Sequence, residues 1–341
     1  MAIDLGAALL AVIVFALIPW AGIAWLDLGY IFGIAVPYAA ISVFIVGGIY
    51  RLVKWAQAPV PFKIPTTAGQ QKSLNWIRHD KLENPHTLSQ VIARMAVEVF
   101  LFRSLFRCRR TKSKEGPRLT YASSKWLWMF AIVFHYALLM TIFGHFRFFT
   151  DPVPGVVQTF LRLDAWLSIG PPRLMVSGLV LLGAVSLLLA RRVFIPSLRY
   201  ISLLNDYFPL VLIGAIALSG ATMRYVTGVD VTSVKTLAMG LISFRPTVPQ
   251  GISSLFFVHI FLVSVLLVYI PFSKLMHMGG IFFSPTRNQA NNSRAVRHVN
   301  PWNYPVNYHT YEAYEDEFRV KMNQAGIPVE RSSSGKDRDR G

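Results

Sequence analysis

The sequence predicts an all-α, polytopic membrane protein with about six transmembrane helices. Three observations carry that reading. Of 341 residues, 53% are hydrophobic and 15% charged, too apolar a balance for an ordinary soluble protein of this length. Six stretches approach twenty residues with almost no charge, enough to cross about 30 Å of hydrocarbon. The formal charge of +17 is sorted by segment instead of spread evenly.

The spans fall at 5–24, 29–50, 126–146, 174–190, 208–223 and 253–275. The first lacks a basic leading segment and a small-residue cleavage site, so it reads as a retained span and not a signal peptide. Asp27 marks the turn after it. Arg51 and Lys54 stop the second span, and Arg191 with Arg192 stop the fourth. The fifth is short, and Ile201 to Leu204 are candidates to extend it at its start.

Charge gives the orientation. Residues 51–118 hold 14 Lys or Arg against 4 Asp or Glu, whereas 147–172 balance Arg147 and Arg162 with Asp151 and Asp164. A basic excess in alternate connections is the positive-inside pattern, and it suits an anionic membrane surface better than nucleic acid. The chain is therefore expected in the cytoplasmic (inner) membrane with both termini cytoplasmic. The third span then runs outward and the sixth inward.

Four regions follow. Residues 1–50 form two N-terminal spans, and 51–123 a basic cytoplasmic connection. Residues 124–277 form a four-helix bundle from the last four spans, and 278–341 a cytoplasmic tail. Within the connection, Pro59, Pro61 and Pro65 favour an extended path. Residues 87–107 have helical apolar spacing but carry Arg94, Glu98, Arg103 and Arg107, which suits a helix at the interface or on a partner, not a seventh span. In the tail, 311–322 has acidic residues first and Arg319 and Lys321 last, the polarity of a short helix. Its aromatic residues suit a docking contact. The final ten or so residues read as disordered.

The chemistry lies in histidines. Eight are present, and four lie in or at the end of spans: His135 and His145 on the third, His259 and His277 on the sixth. An imidazole in hydrocarbon needs a hydrogen bond, a proton path or a metal. On one continuous helix, His259 and His277 are 18 residues apart, five turns and about 27 Å. His135 and His145 are 10 residues apart, about 15 Å. In opposed helices depth pairs His145 with His259 and His135 with His277. Each pair could bracket a haem b, whose axial positions would then both be filled, as electron transfer requires. Averaging the two rises sets the irons about 20 Å apart. No Asp, Glu or Cys stands at ligand spacing around these residues, and two imidazoles alone do not make a zinc site. Arg147, two residues beyond His145, could pair with a haem propionate; Arg173 reads rather as an interfacial anchor. His79, His86, His298 and His309 are not assigned to haem. The single Cys108 excludes an internal disulfide, a cysteine-ligated cluster within the chain and a covalent haem site.

Longer stretches of text carry a resemblance. They are Val36-Pro37-Tyr38, Phe62 to Thr67 with Gly69-Gln70-Gln71, Asn84-Pro85-His86, Phe102 to Arg107, Pro301-Trp302-Asn303 and Glu315 to Phe318. With these the chain resembles the DsrM family, the membrane cytochrome b subunits of dissimilatory sulfite reductase-linked complexes. The four histidine positions and the last four spans are similar, more broadly, to the haem b (gamma) subunit of nitrate reductase. The resemblance implies a di-haem cytochrome b that exchanges electrons between menaquinone and a cytoplasmic iron–sulfur subunit related to heterodisulfide reductase, in sulfur metabolism. It implies as further partners a second quinone-interacting membrane subunit, a multihaem cytochrome c and an iron–sulfur protein on the outer face. The nitrate reductase core has five spans, so the extra N-terminal span limits what its quinone pocket can tell about this one.

Two other classes remain at this level. In one the chain is a haem-free membrane anchor of a redox complex, with histidines that only pack. In the other it is a transporter, against which stand the lack of carboxylates inside the spans and of any repeat. On the cytochrome reading the quinone is expected near the outer haem, between the third, fourth and sixth spans.

Overall fold

A computed structural model describes residues 2–58, 69–113, 119–167, 173–292, 295–296 and 309–330. The extended path expected around Pro59 to Pro65 and the disorder expected of the last residues fall outside these. So does the Pro301 end of the tail. The chain is a nearly all-helical polytopic membrane protein. Among the described residues six helical segments are long and apolar enough to cross a membrane: Ile3–Leu26, Ile31–Ala56, Lys125–Phe148, Val176–Phe194, Leu204–Thr227 and Ser254–Phe272.

The first span is helix α1 (Ala2–Leu26). A wide π turn at Ile31–Ala35 leads into α2 (Val36–Ala56), just where Pro37 removes a main-chain donor. Helices α3 (Leu88–Leu101) and α4 (Arg103–Arg107) follow, then an antiparallel strand pair, β1 (Arg109–Ser113) and β2 (Leu119–Ser123). Next come α5 (Lys125–His145), α6 (Gly155–Asp164), α7 (Val176–Phe194), α8 (Pro196–Ile201) and α9 (Leu204–Thr222). The fifth span does start earlier than its apolar core suggests, at Leu204, because Asp206 accepts from the Leu203 amide and caps the helix. That carboxylate also meets Lys274 at 2.5 Å and Arg192 at 3.4 Å, which ties three spans at one end.

After α10 (Val231–Ile242) comes α11 (Ser254–Tyr269), and here the structure departs from one continuous helix of 253–275. The α-helix stops at Tyr269 and gives way to 3-10 turns at Ile270–Phe272 and Lys274–Met276, with Ser273 extended between them. His277 opens a separate short helix, α12 (His277–Gly280). Pro271 is the cause: it has no N–H to give the preceding turn, and its ring crowds the carbonyl four residues back. Its ring sits against α2 at Gly47, where a Cβ would lie 2.9 Å from Pro271 Cβ.

Packing follows the chain for the later spans, α5 on α7, α7 on α9 and α9 on α11. Helix α1 lies against both α9 and α11, and α2 against α11. Small and medium residues make these seams. Val12, Leu212, Val258 and Leu262 form one core; Phe134, Ala137, Leu181, Ala184, Val185 and Ile213 form another. Between helices in lipid, such close packing replaces the hydrophobic drive of water. The outward residues are apolar too, Leu10, Val46, Leu139 and Leu218 among them, each more than half or about half exposed.

The connection is not the single helix expected over 87–107. Phe102 takes a left-handed backbone (φ 50°) and breaks it into α3 and α4. Its charges turn inward. Glu83 meets Arg103 at 3.1 Å and Arg107 at 2.5 Å, while the buried Arg94 donates to the Glu83 carbonyl at 2.5 Å. Glu98 accepts from Ser104 and lies 3.9 Å from Arg287. Asn291 donates to Asn84 Oδ1 at 2.9 Å, so the stretch after α12 closes on the connection. Burial pulls the Asp80 carboxyl up, but the Glu83 and Leu82 amides with Arg107 and Arg103 outweigh it and hold it below the ordinary range.

The described residues 309–330 belong to a second unit. Its described helix, α13 (Tyr311–Gln324), is capped by Thr310, whose Oγ1 accepts from the Ala313 amide. Arg319 pairs with Glu315 and Asp316 on the same helix.

Candidate functional site

The structure brings the four span histidines together as two pairs, one at the middle of α5 and one at its C-terminal end. His145 and His259 have ring centres 6.4 Å apart with nearly parallel planes, 7°. His135 and His277 have ring centres 6.0 Å apart with perpendicular planes, 90°. Helices α5 and α11 do not pack extensively on each other. All four rings retain accessible surface, with His145 and His277 exposed and His135 and His259 half-buried.

One nitrogen of each ring is accounted for by the protein. His135 Nδ1 lies 2.7 Å from the Ala131 carbonyl and His145 Nδ1 2.7 Å from the Thr141 carbonyl, each one helical turn back. His277 Nδ1 is 3.0 Å from the Lys274 carbonyl in the preceding 3-10 turn. His259 Nδ1 is 2.9 Å from Ser219 Oγ on α9. A carbonyl can only accept, so Nδ1 carries the proton in the first three and Nε2 keeps its lone pair. Such a tautomer makes Nε2 a metal ligand with its orientation already fixed.

Aromatic edges complete the setting. Phe102 and Phe134 stand edge-on to His135, each with ring centres 5.0 Å away, so the left-handed break in the connection delivers a ring to this pair. Tyr136 and Trp128 of α5 donate to the Phe100 and Leu101 carbonyls and hold the end of α3 there. At the other end Phe148 lies 5.9 Å from His145. The Arg147 guanidinium sits 4.6 Å over the Phe148 ring, and its buried Nε meets no hydrogen-bond partner among the described residues. Arg224, at the end of the fifth span, donates twice to the Arg173 carbonyl, at 3.1 and 2.7 Å. Arg173 itself is exposed.

The buried Asp164 binds the Ser177 amide at 2.6 Å and its hydroxyl at 2.7 Å, and Ser177 accepts from Thr141, the residue whose carbonyl holds His145. Nothing local in the sequence marks Asp164 or Ser219, since each acts on a partner from another element. His79 and His86 lie in the connection, and His309 lies 3.4 Å from Glu317 of α13. Among the described residues no three His, Cys, Asp or Glu side chains converge.

Six spans and two facing imidazole pairs, set between α5 and the α11–α12 segment, define a helical membrane protein built like a cytochrome. The chain belongs to the nitrate reductase gamma subunit family, which it matches over residues 87–297. It is also 46% identical over 282 residues to the Hdr-like menaquinol oxidoreductase cytochrome b-like subunit of Archaeoglobus fulgidus, covering 81% of this chain and 84% of that one. The subunit of the same description from Archaeoglobus profundus is 41% identical over 280 residues, 80% of this chain and 82% of its own.

Proposed function

We propose that the chain is the cytochrome b subunit of a membrane menaquinol oxidoreductase. It would hold two haem b groups, one between His145 and His259 and one between His135 and His277. Electrons would pass between menaquinol and a cytoplasmic iron–sulfur subunit related to heterodisulfide reductase. The observation that carries this is the pair of imidazole pairs. Two imidazoles trans on one metal, each bonded at about 2 Å, have ring centres about 6 Å apart, and the observed separations are 6.4 and 6.0 Å.

The donor set fits haem b. Haem b supplies a one-electron iron couple with both axial positions filled, suited to transfer and not to binding substrate. The four Nδ1 contacts hold each ring in the tautomer and orientation a ligand needs. Arg147 brings a buried donor with no partner among the described residues and a positive charge to the His145 end, which suits a propionate. Phe102 and Phe134 set apolar ring edges beside His135.

The quinol substrate is supported by the names of the two relatives. Its oxidation releases two electrons and two protons, and the reading sets that event near His145 and Arg147, on the outer side. The orientation rests on the basic excess of 51–118, and with it the cytoplasmic membrane and cytoplasmic termini. The sulfite-linked setting, with its further membrane subunit, multihaem cytochrome c and outer iron–sulfur protein, rests on the resemblance of the longer sequence stretches. A redox spectrum of the purified chain, produced with ample haem, tests the core of the proposal. Two haem b per chain with low-spin spectra are expected; a folded preparation without a b-type band would leave a haem-free anchor.

A further inference from the structure

The four histidines differ in what holds Nδ1. His135, His145 and His277 each face a main-chain carbonyl of their own segment. His259 faces a side chain from another span, Ser219 Oγ, at 2.9 Å and 40 residues away in sequence. That hydroxyl has one hydrogen, and it goes to the Ile216 carbonyl at 3.0 Å. Toward the imidazole the oxygen is therefore an acceptor and the ring the donor.

The neighbourhood is built for this contact. Ser219 is buried, 8% exposed. The next residue, Gly220, lets α9 come close: a Cβ there would stand 3.3 Å from His259 Cε1. Acceptor strength at Nδ1 sets how much electron density an axial imidazole passes to iron, and so biases the couple. A hydroxyl that can be deleted without touching the backbone is a separate control on one ligand of four.

We propose that Ser219 is a positioning residue that fixes the His259 tautomer and tunes the midpoint potential of the haem shared by His145 and His259. The inference rests on the two-haem reading above. Deleting the hydroxyl leaves Nδ1–H only the neighbouring Ile216 carbonyl, makes the imidazole a poorer donor and raises the potential of that haem. The potential of the His135–His277 haem stays where it was.

Redox titration of the whole purified protein with optical and electron paramagnetic readout tests this in Ser219→Ala, Ser219→Thr and Ser219→Val. Threonine and valine have the same shape and differ by the hydroxyl. Ala and Val should raise the midpoint of one haem only, the one that His259→Ala removes, with its low-spin spectrum kept; Thr should behave as the parent. Loss of that haem in Val but not in Thr would also support a hydroxyl that positions the ligand. Unmoved midpoints in Ala and Val, a shift shared by both haems, or equal effects of Thr and Val would overturn it. A parent protein that carries no haem would instead remove the reading on which the inference stands.

Discussion

Arg147 poses the sharpest question at the level of single residues, because its buried Nε has no partner among the described residues while its guanidinium leans on Phe148. A cation that only snorkels to headgroups and a cation that pairs with a propionate predict different outcomes. In the proposed arrangement Arg147→Gln removes positive charge beside one haem and should lower the midpoint of that haem alone, with both haems retained. A redox titration showing no change would make Arg147 an interfacial anchor. The four span histidines were legible in the sequence because an imidazole in hydrocarbon demands a reason. Ser219 and Asp164 were not, because a serine in an apolar span or an aspartate in a loop is ordinary until its partner is known. Those partners, His259 and Ser177, lie on other elements, 40 and 13 residues away.

Elements decide how histidines at unequal spacing form two pairs of nearly equal separation. His135 and His145 are both on α5, one continuous helix, whereas the α-helix that carries His259 ends eight residues before His277. The turns after Pro271 take up the difference. Pro271→Ala restores a main-chain donor and permits the α-helix to run on. It should deplete the haem of His135 and His277 and spare the other, as haem stoichiometry and spectra would report. Equal retention of both would mean the break has no part in setting His277. The proline itself was visible in the sequence; how far the chain turned after it depended on Gly47 of α2. The break at Phe102 had no warning at all, since a phenylalanine with positive φ is held there by its surroundings.

The buried network of the connection belongs to the same scale. A run of charges on an amphipathic stretch reads as a surface, yet Arg94 is 2% exposed and Glu83 7%. The surrounding network reaches Arg287, 3.9 Å from Glu98, and Asn291, which donates to Asn84, both about two hundred residues on, so no local pattern could show it. Glu83→Ala removes the carboxylate that pairs with Arg103 and Arg107 and lies 4.0 Å from the buried Arg94, although Arg94 keeps the main-chain carbonyl of residue 83. A loss of about 3 kcal/mol is expected, the low end for a broken buried pair. It should appear as faster proteolysis between residues 69 and 107 and a lower midpoint of thermal unfolding. Unchanged protection would mean the network is not a stability element.

Taken whole, the molecule separates a membrane body from a tail unit, and the boundary matters for testing the partner. Residues 284–292 belong to the body, because Asn291 donates to Asn84 and its amide to the Pro85 carbonyl. Removal of 298–341 therefore cuts between units, where truncation at Ser284 would cut into the body. On the proposed function, a chain ending at Arg297 should keep both haems yet release the proposed cytoplasmic iron–sulfur subunit from solubilised membranes. Full retention of that subunit would assign docking elsewhere. The six spans were readable from hydropathy because lipid leaves a helix no other way to satisfy its backbone. How α1 and α2 pack onto α11 was not, since apolar faces in lipid carry no amphipathic mark.

In the proposed arrangement two haems are each held by one histidine from α5 and one from the α11–α12 segment. Single alanine variants of His135, His145, His259 and His277 test it through reduced-minus-oxidised spectra and redox titration of the purified protein. The account predicts two matching couples: His145→Ala and His259→Ala lose the same component and keep the other, and His135→Ala and His277→Ala do the converse. Sorting of His135 with His259, or any one variant that leaves both components unchanged, would contradict it.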